Sequence, residues 1–357
     1  MKDMMNAIVM ESAGNFGMKS VPVPRPGYKE VLVEIRAVSI CGSDPKVFNG
    51  GYQSIGWPPT FPFIPGHEFS GVIAALGDGV TEFAVGDRVA GEAHNGCGTC
   101  ENCKSGKYNL CLNYGKPAAG HRHYGFTWQG AYADYNAYSV KALAKIPDNV
   151  TFDEASLCDT AGTSLQAIRL TGIVPGGYSL IIGPGPIGIF VMQIAKAMGS
   201  KTIIVGRKER LRLAGKLGAD YLVNYEECGD IIGRVREITG GIGADQAFEC
   251  AGSGDSMKQC VLSVRKNGHV AFVALTTADE FPIPVKTTVM NQITLHGSRA
   301  NPNCSKAVLE MMSTGAINVK DMITHTFPLR QFELALKTFV ERLDGAMKVV
   351  VNPNMNV

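Results

Sequence analysis

The chain has 357 residues, 45% of them hydrophobic, enough for a large core and, at roughly 100 to 200 residues per domain, for two domains. Lys and Arg total 34 against 32 Asp and Glu, a net charge of +2, which excludes a field strong enough to recruit nucleic acid, an anionic membrane or a polyacidic partner and leaves a small molecule as the expected partner. No apolar run approaches the roughly 20 residues that span a bilayer, and the first residues lack the basic, apolar and small-residue order of a signal peptide, so the cytoplasm is the expected compartment.

Residues 7–150 read as short strands, such as 31–35 and 71–75, broken by Gly and Pro clusters, which predicts a β-rich, loop-rich domain. Two metal constellations fall inside it. Cys41 (in Ile40-Cys41-Gly42-Ser43-Asp44) and His67 (in Gly66-His67-Glu68) are each of a type that catalytic zinc uses, where three protein ligands leave a fourth position open. Alone, either would more often be a core residue. Cys97, Cys100, Cys103 and Cys111 place four soft ligands within fifteen residues of a Gly-, Asn- and Lys-rich segment. Four thiolates close a tetrahedral zinc shell, so this set is expected to brace a loop and do no chemistry. A disulfide pairing conflicts with the cytoplasmic reading, and an iron–sulfur cluster is the alternative that ligand type leaves open. The other five cysteines (Cys158, Cys228, Cys250, Cys260 and Cys304) are scattered among apolar neighbours and are expected to be core filler.

From about residue 155 the texture changes. Asp159 is the best placed third ligand for the open site, with Cys158 as runner-up; if this segment is extended, the two side chains point to opposite faces. Strands at 179–182 and 201–205 then alternate with helices at 187–198 and 209–217, and the alternation runs on through 247–250 and 270–273 to about 296, which predicts a parallel sheet of βαβ units. Gly183-Pro184-Gly185-Pro186-Ile187-Gly188 lies between the first of these strands and its helix. There the first glycine permits the tight turn, the second lets a pyrophosphate approach the backbone, and the third allows close helix–strand packing, with phosphates meeting the helix N-terminus. An ordinary glycine-rich turn is the bland alternative. Where an NAD-binding chain would carry an Asp or Glu after the second strand, this one reads Gly206-Arg207-Lys208, which favours NADP(H), with NAD(H) as the alternative and solvated surface cations as the bland reading. The last 60 residues hold expected helices at 305–313 and 329–342 and a closing strand at 347–351.

In this order, Cys41-Gly42-Ser43-Asp44, Gly66-His67-Glu68, the four-cysteine lobe, Gly86-Asp87-Arg88-Val89, the glycine loop and Lys216-Leu217-Gly218-Ala219-Asp220 make the chain resemble the zinc-containing medium-chain alcohol dehydrogenase superfamily along essentially its whole length. The likeness is greatest to the sorbitol/polyol, threonine and bacterial secondary-alcohol branches. It implies an α/β fold: a GroES-like β-rich catalytic domain over 1–155 with its structural zinc lobe at about 94–113, a Rossmann doubly wound parallel sheet over 156–296, and a return to the catalytic domain over 297–357. It implies two zinc ions per chain, one held by Cys41, His67 and Asp159. Polyol-type relatives carry Glu at the last position, others Cys, and some bacterial secondary-alcohol enzymes Asp. It further implies that Glu68 is a neighbour or transient ligand of that zinc, that Ser43 passes the alcohol proton outward, that Thr163 lies near the nicotinamide, and that Gly206, Arg207 and Tyr225 read a 2′-phosphate. A homotetramer or homodimer is the implied assembly.

Two departures stand out. Many relatives carry His where this chain has Lys46, preceded by Pro45, and the phosphate-reading branch generally lacks the four-cysteine lobe, so its substrate is not inherited here. The expected reaction is reversible hydride transfer between a secondary alcohol (a polyol, a sugar or cyclitol alcohol) and the nicotinamide, with the metal lowering the alcohol's pKa and metal and cofactor meeting in a cleft between domains. Trp57, His121, His123, Tyr124, Phe126 and Trp128 are candidates to line the pocket, half or more of them equally explained as packing. The competing readings are a threonine-type dehydrogenase, a zinc-free enone or quinone reductase of the same fold, and a zinc ribbon that binds nucleic acid, against which the near-neutral charge speaks.

Overall fold

The strand Glu30–Ser39 is buried along nearly its whole length, and its sequence, EVLVEIRAVS, is apolar on both faces because it lies at the centre of a sheet. The computed structural model describes residues 3–276, 278 and 280–355. The chain divides into two units, Met1–Asp159 with Asn301–Ser313 and Val319–Val357, and Thr160–Ala300 with Thr314–Asn318.

In the first unit, strands Ile323–Pro328, Lys348–Asn352, Glu30–Ser39, Glu68–Leu76, Arg88–Gly91 and Leu143–Lys145 pair in that order, and Tyr135–Ser139 also pairs with Glu30–Ser39. All these pairings are antiparallel except the first. The sheet closes over Val31, Val33, Ile35, Phe69, Tyr132 and Tyr138, with the Phe69 and Tyr138 rings stacked 3.9 Å apart. Strands Met4–Ser12 and Asn15–Pro22 form a separate hairpin.

In the second unit, six parallel strands run in the order Tyr221–Asn224, Lys201–Gly206, Tyr178–Ile182, Ala244–Glu249, Val264–Phe272 and Thr294–Gly297. This is the doubly wound dinucleotide-binding order, which reverses between the third and fourth strands of that row, and ligands bind outside the carboxyl ends of the strands at such a reversal. The glycine loop leaves the strand Tyr178–Ile182 at that point.

One expectation fails. Residues Cys158–Thr171 form a helix that carries the chain from one unit into the other, and no extended segment exists there. The strand-alternation argument separating Asp159 from Cys158 therefore does not apply. What separates them is burial on a helix, where neighbours point about 100° apart.

Candidate functional site

The first cluster is assembled by strand register. Ser39 pairs with Glu68, so Cys41, two residues past one end of that rung, and His67, one residue before the other, arrive together. The ligating atoms of Cys41, His67 and Glu68 all lie within 4.8 Å of one another. Asp44 organises them: its carboxylate is buried, accepts from the Cys41 backbone N–H at 2.9 Å and the Tyr132 hydroxyl at 2.7 Å, and stands 3.4 Å from His67 Nδ1. A carboxylate behind a histidine fixes the ring and raises its basicity. Burial opposes charge on His67, but the adjacent Cys41 and Asp44 outweigh it and hold the imidazole well above its ordinary pKa.

Glu68 is locked from behind. Its carboxylate accepts from Ser39 and from the ammonium of Lys348, which also donates to the Ile40 carbonyl at 3.1 Å. Burial would raise the Glu68 pKa; Lys348 and His67 reverse this, and the carboxyl is held below its usual range. Lys348 was not singled out in the sequence. The signal was present, one cation directly before the apolar run Val349-Val350-Val351 of the closing strand, and Lys348 is fully buried in the structure.

Asp159 lies beside this trio, within electrostatic reach of His67 and Glu68 but outside the set that closes within 4.8 Å. It accepts from the Ala93 N–H at 3.3 Å and from Asn301 Nδ2 at 3.0 Å, and burial raises its pKa to about 6. Cys158 is turned away, its thiol on the Ser305 carbonyl at 3.7 Å and its pKa raised by burial. The Ser43 hydroxyl oxygen is buried with no hydrogen-bond partner. Lys46 reaches over the Tyr52 ring, 5.4 Å from its centre.

Of the expected pocket-lining residues, three form a continuous wall on His67. Phe126 packs on the imidazole at 4.6 Å, and Trp57 and His123 pack on Phe126 at 4.6 and 4.2 Å. The rest are structural: Tyr124 is fully buried and accepts from the Ser139 N–H, Trp128 lies under the Arg122 guanidinium, and His121 accepts from the Gly115 N–H.

In the lobe, the sulfurs of Cys97, Cys100, Cys103 and Cys111 also lie within 4.8 Å of one another. Backbone N–H groups of Cys97 and Asn113 point at Cys111 Sγ, and those of Cys100, with the Asn113 amide, at Cys97 Sγ, each at 3.4 Å. Thr99 and Asn113 lower the Cys97 thiol to about 5, while burial pushes Cys103 up to about 12. None of the ten cysteines is joined in a disulfide.

In the second unit, Gly183 follows the strand Tyr178–Ile182, and Gly185 caps the helix Pro186–Ala197 without a side-chain bond, which leaves the first helical N–H groups open. A Cβ on Gly188 would stand 2.0 Å from the Gly183 carbonyl, so Ile187 and Gly188 enter the helix only because the last position has no side chain. Gly206 is constrained similarly: a Cβ there would meet the Pro184 ring at 2.2 Å, so sterics keep any carboxylate from that position. Arg207 follows, its guanidinium 2.6 Å from Glu226 and 5.5 Å above the Tyr225 ring, and Lys208 opens the next helix. Thr163 lies half-buried in the helix Cys158–Thr171. Two residues here escaped the sequence reading: Glu226, and Glu249, a buried carboxylate at the end of Ala244–Glu249 that accepts from the N–H groups of Ala251 and Gly252 and from the Ser256 hydroxyl.

Residues 27–148 match the alcohol dehydrogenase GroES-like domain, and residues 186–314 match the zinc-binding dehydrogenase family. A sorbitol dehydrogenase of Bacillus subtilis is 35% identical over 353 residues, 98% of each chain. The chain belongs to the zinc-containing medium-chain alcohol dehydrogenase superfamily. Within it, this chain is a zinc-type alcohol/polyol dehydrogenase. A solved structure from Sinorhizobium meliloti 1021 bound to NADP superposes with a TM-score of 0.89 at 28% identity, covering 99% of this chain and 100% of that one. An alcohol dehydrogenase from Escherichia coli CFT073 complexed with NADH superposes at 0.88 with 25% identity, covering 98% and 100%. Among the described residues, no helix is long and apolar enough to cross a membrane.

Proposed function

We propose that this dehydrogenase oxidises a polyol-like secondary alcohol to the ketone, reversibly and with NADP(H) preferred over NAD(H), using one zinc at Cys41, His67 and Asp159 with Glu68 behind it and a second at Cys97, Cys100, Cys103 and Cys111. The observation that carries the reading is the meeting of half-buried Cys41 with buried His67 and Glu68, with Asp159 beside them and the Ser43 hydroxyl left without a protein partner. Soft and borderline donors in this combination suit zinc, and four thiols drawn together by N–H···S contacts suit a closed structural shell. When bound, zinc supplies the Lewis acidity that acidifies an alcohol, and the nicotinamide supplies the hydride acceptor.

The chain's own groups do the rest. Asp44 sets the His67 ring, and Lys348 with Ser39 keeps Glu68 ionised but held back. Ser43 offers the hydroxyl that takes up and passes on the alcohol proton. Phe126, Trp57 and His123 shape one wall and exclude water, while Ser43 and His123 provide polar edges for a substrate rich in hydroxyls. The open N–H groups after Gly185 meet the pyrophosphate, Thr163 lies near the nicotinamide, and Arg207 with Lys208 and Tyr225 meets the 2′-phosphate. Cysteines without disulfides fit a cytoplasmic enzyme, which by resemblance works as a homotetramer or homodimer.

Oxidation of polyols, sugars, threonine and short secondary alcohols, assayed with NADP and NAD in parallel and combined with zinc analysis, tests this. Turnover of a polyol with two zinc ions per chain is the expected result; zinc-independent reduction of enones would overturn it. Asp159→Ala should lose one zinc and nearly all activity while Cys158→Ala stays close to normal, and the reverse ranking would exchange their roles.

A further inference from the structure

The four-cysteine lobe does not hang free of the cluster at Cys41. A path of hydrogen bonds and short stretches of backbone joins the lobe to Asp159, exposed at Asn303 and buried around Glu92, and every residue on it belongs to the same unit. Tyr108, between the third and fourth lobe cysteines, donates its hydroxyl proton to Glu92 and accepts from the Asn303 N–H at 2.6 Å. Asn303 Nδ2 returns to the Gly106 carbonyl of the lobe at 3.1 Å. The other oxygen of Glu92 accepts from the Ser305 hydroxyl at 2.9 Å and from the N–H groups of Cys304 and Ser305 at 3.3 and 3.4 Å. Glu92 and the segment 301–305 are thus fixed on one another and on the lobe. Their chain neighbours then close on a single atom: the Ala93 N–H and Asn301 Nδ2 both donate to Asp159 Oδ1. Glu92 is 4% exposed and Asn301 1%, so water competes little at these two residues, while Asn303 at the lobe end of the path is exposed.

We propose that Tyr108, Glu92 and Asn301 are positioning residues through which the lobe holds the Asp159 carboxylate in register with Cys41 and His67. The two donors occupy one oxygen of Asp159 and leave the other free to ligate, the arrangement by which partners behind a ligand set its orientation. The lobe, which does no chemistry itself, thereby controls how tightly the neighbouring metal is held. The inference rests on Asp159 being a zinc ligand.

The test uses the zinc-loaded enzyme and four variants: Tyr108→Phe, which keeps all four lobe thiols, Asn301→Ala, the double variant, and Asn149→Ala, which removes a tether to Ser313 in the same unit but off this path. Release of zinc into excess colorimetric chelator is followed together with kcat and the KM for cofactor. Both single variants should release one of the two ions about 10- to 100-fold faster than the parent and lower kcat, with the KM for cofactor unchanged. The double variant should exceed the faster single but fall short of the product of the two effects, because Tyr108 supports Asp159 partly through Asn301 and partly through the Ala93 arm. Parental release rates in both singles, independent effects in the double, or equal acceleration by Asn149→Ala would overturn the bridge. A parent with fewer than two zinc ions, or an Asp159→Ala variant that keeps both, would instead overturn the ligand assignment on which it rests.

Discussion

Arg207 shows how far a single residue's role depends on a neighbour distant in sequence. Read alone, it is a cation beside Gly206, the position where a carboxylate would have marked NAD. In the structure it bonds to Glu226, with both side chains exposed, so the pair adds little to stability. Under the proposed preference for NADP(H) its consequence is for binding, since a 2′-phosphate would have to draw Arg207 away from the Glu226 carboxylate. A charge-assisted contact contributes about 1.5 to 3 kcal/mol, roughly a ten- to hundredfold preference. Arg207→Ala should therefore raise the KM for NADP by about that factor while leaving NAD almost unchanged, and Glu226→Gln should lower the KM for NADP. Equal losses with both cofactors in Arg207→Ala would mean that the residue supports the fold instead.

Among the elements, the edge strand Thr294–Gly297 carries a pH dependence. His296 lies against His269 of the neighbouring strand, with ring nitrogens 3.2 Å apart and rings stacked. Burial, and then His269, hold His296 below the ordinary imidazole pKa. The unfolded chain then binds the proton more readily than the folded one, so the stability this pair allows is present above the ordinary His pKa and is lost as pH falls through the folded value. Thermal stability should drop between about pH 7 and pH 5, and His296→Gln should flatten that slope; an unchanged slope would assign the loss to other groups. The helix Cys158–Thr171 teaches a different lesson. Its sequence, CDTAGTSLQAIRLT, holds one glycine and three threonines, all weak helix formers, so local propensity did not announce it. The helices Pro186–Ala197 and Lys208–Lys216 were legible because apolar periodicity and a strand on either side marked them.

At the scale of the whole molecule, each unit has its own apolar core, one around Phe69, Tyr132 and Tyr138, the other around Leu180, Ile203 and Val270. Separate cores allow separate transitions, and both candidate metal sets fall in the first unit. Calorimetry should show two transitions, of which chelation lowers the one belonging to the first unit. NADP at a hundred times its dissociation constant should stabilise the other by about 2.7 kcal/mol. A single transition, or equal shifts of both under chelator, would count against independent cores. The sequence by itself determined the fold class, the family, the four-cysteine set and the glycine loop, because each is a local pattern whose spacing dictates its chemistry. Tertiary structure alone decided what stands behind those residues: Asp44 behind His67, Lys348 behind Glu68, Glu226 on Arg207, and Glu92 and Asn301 between the lobe and Asp159. Those partners are up to 280 residues apart in the chain. Register and packing join them, and neither is written in any short window of sequence.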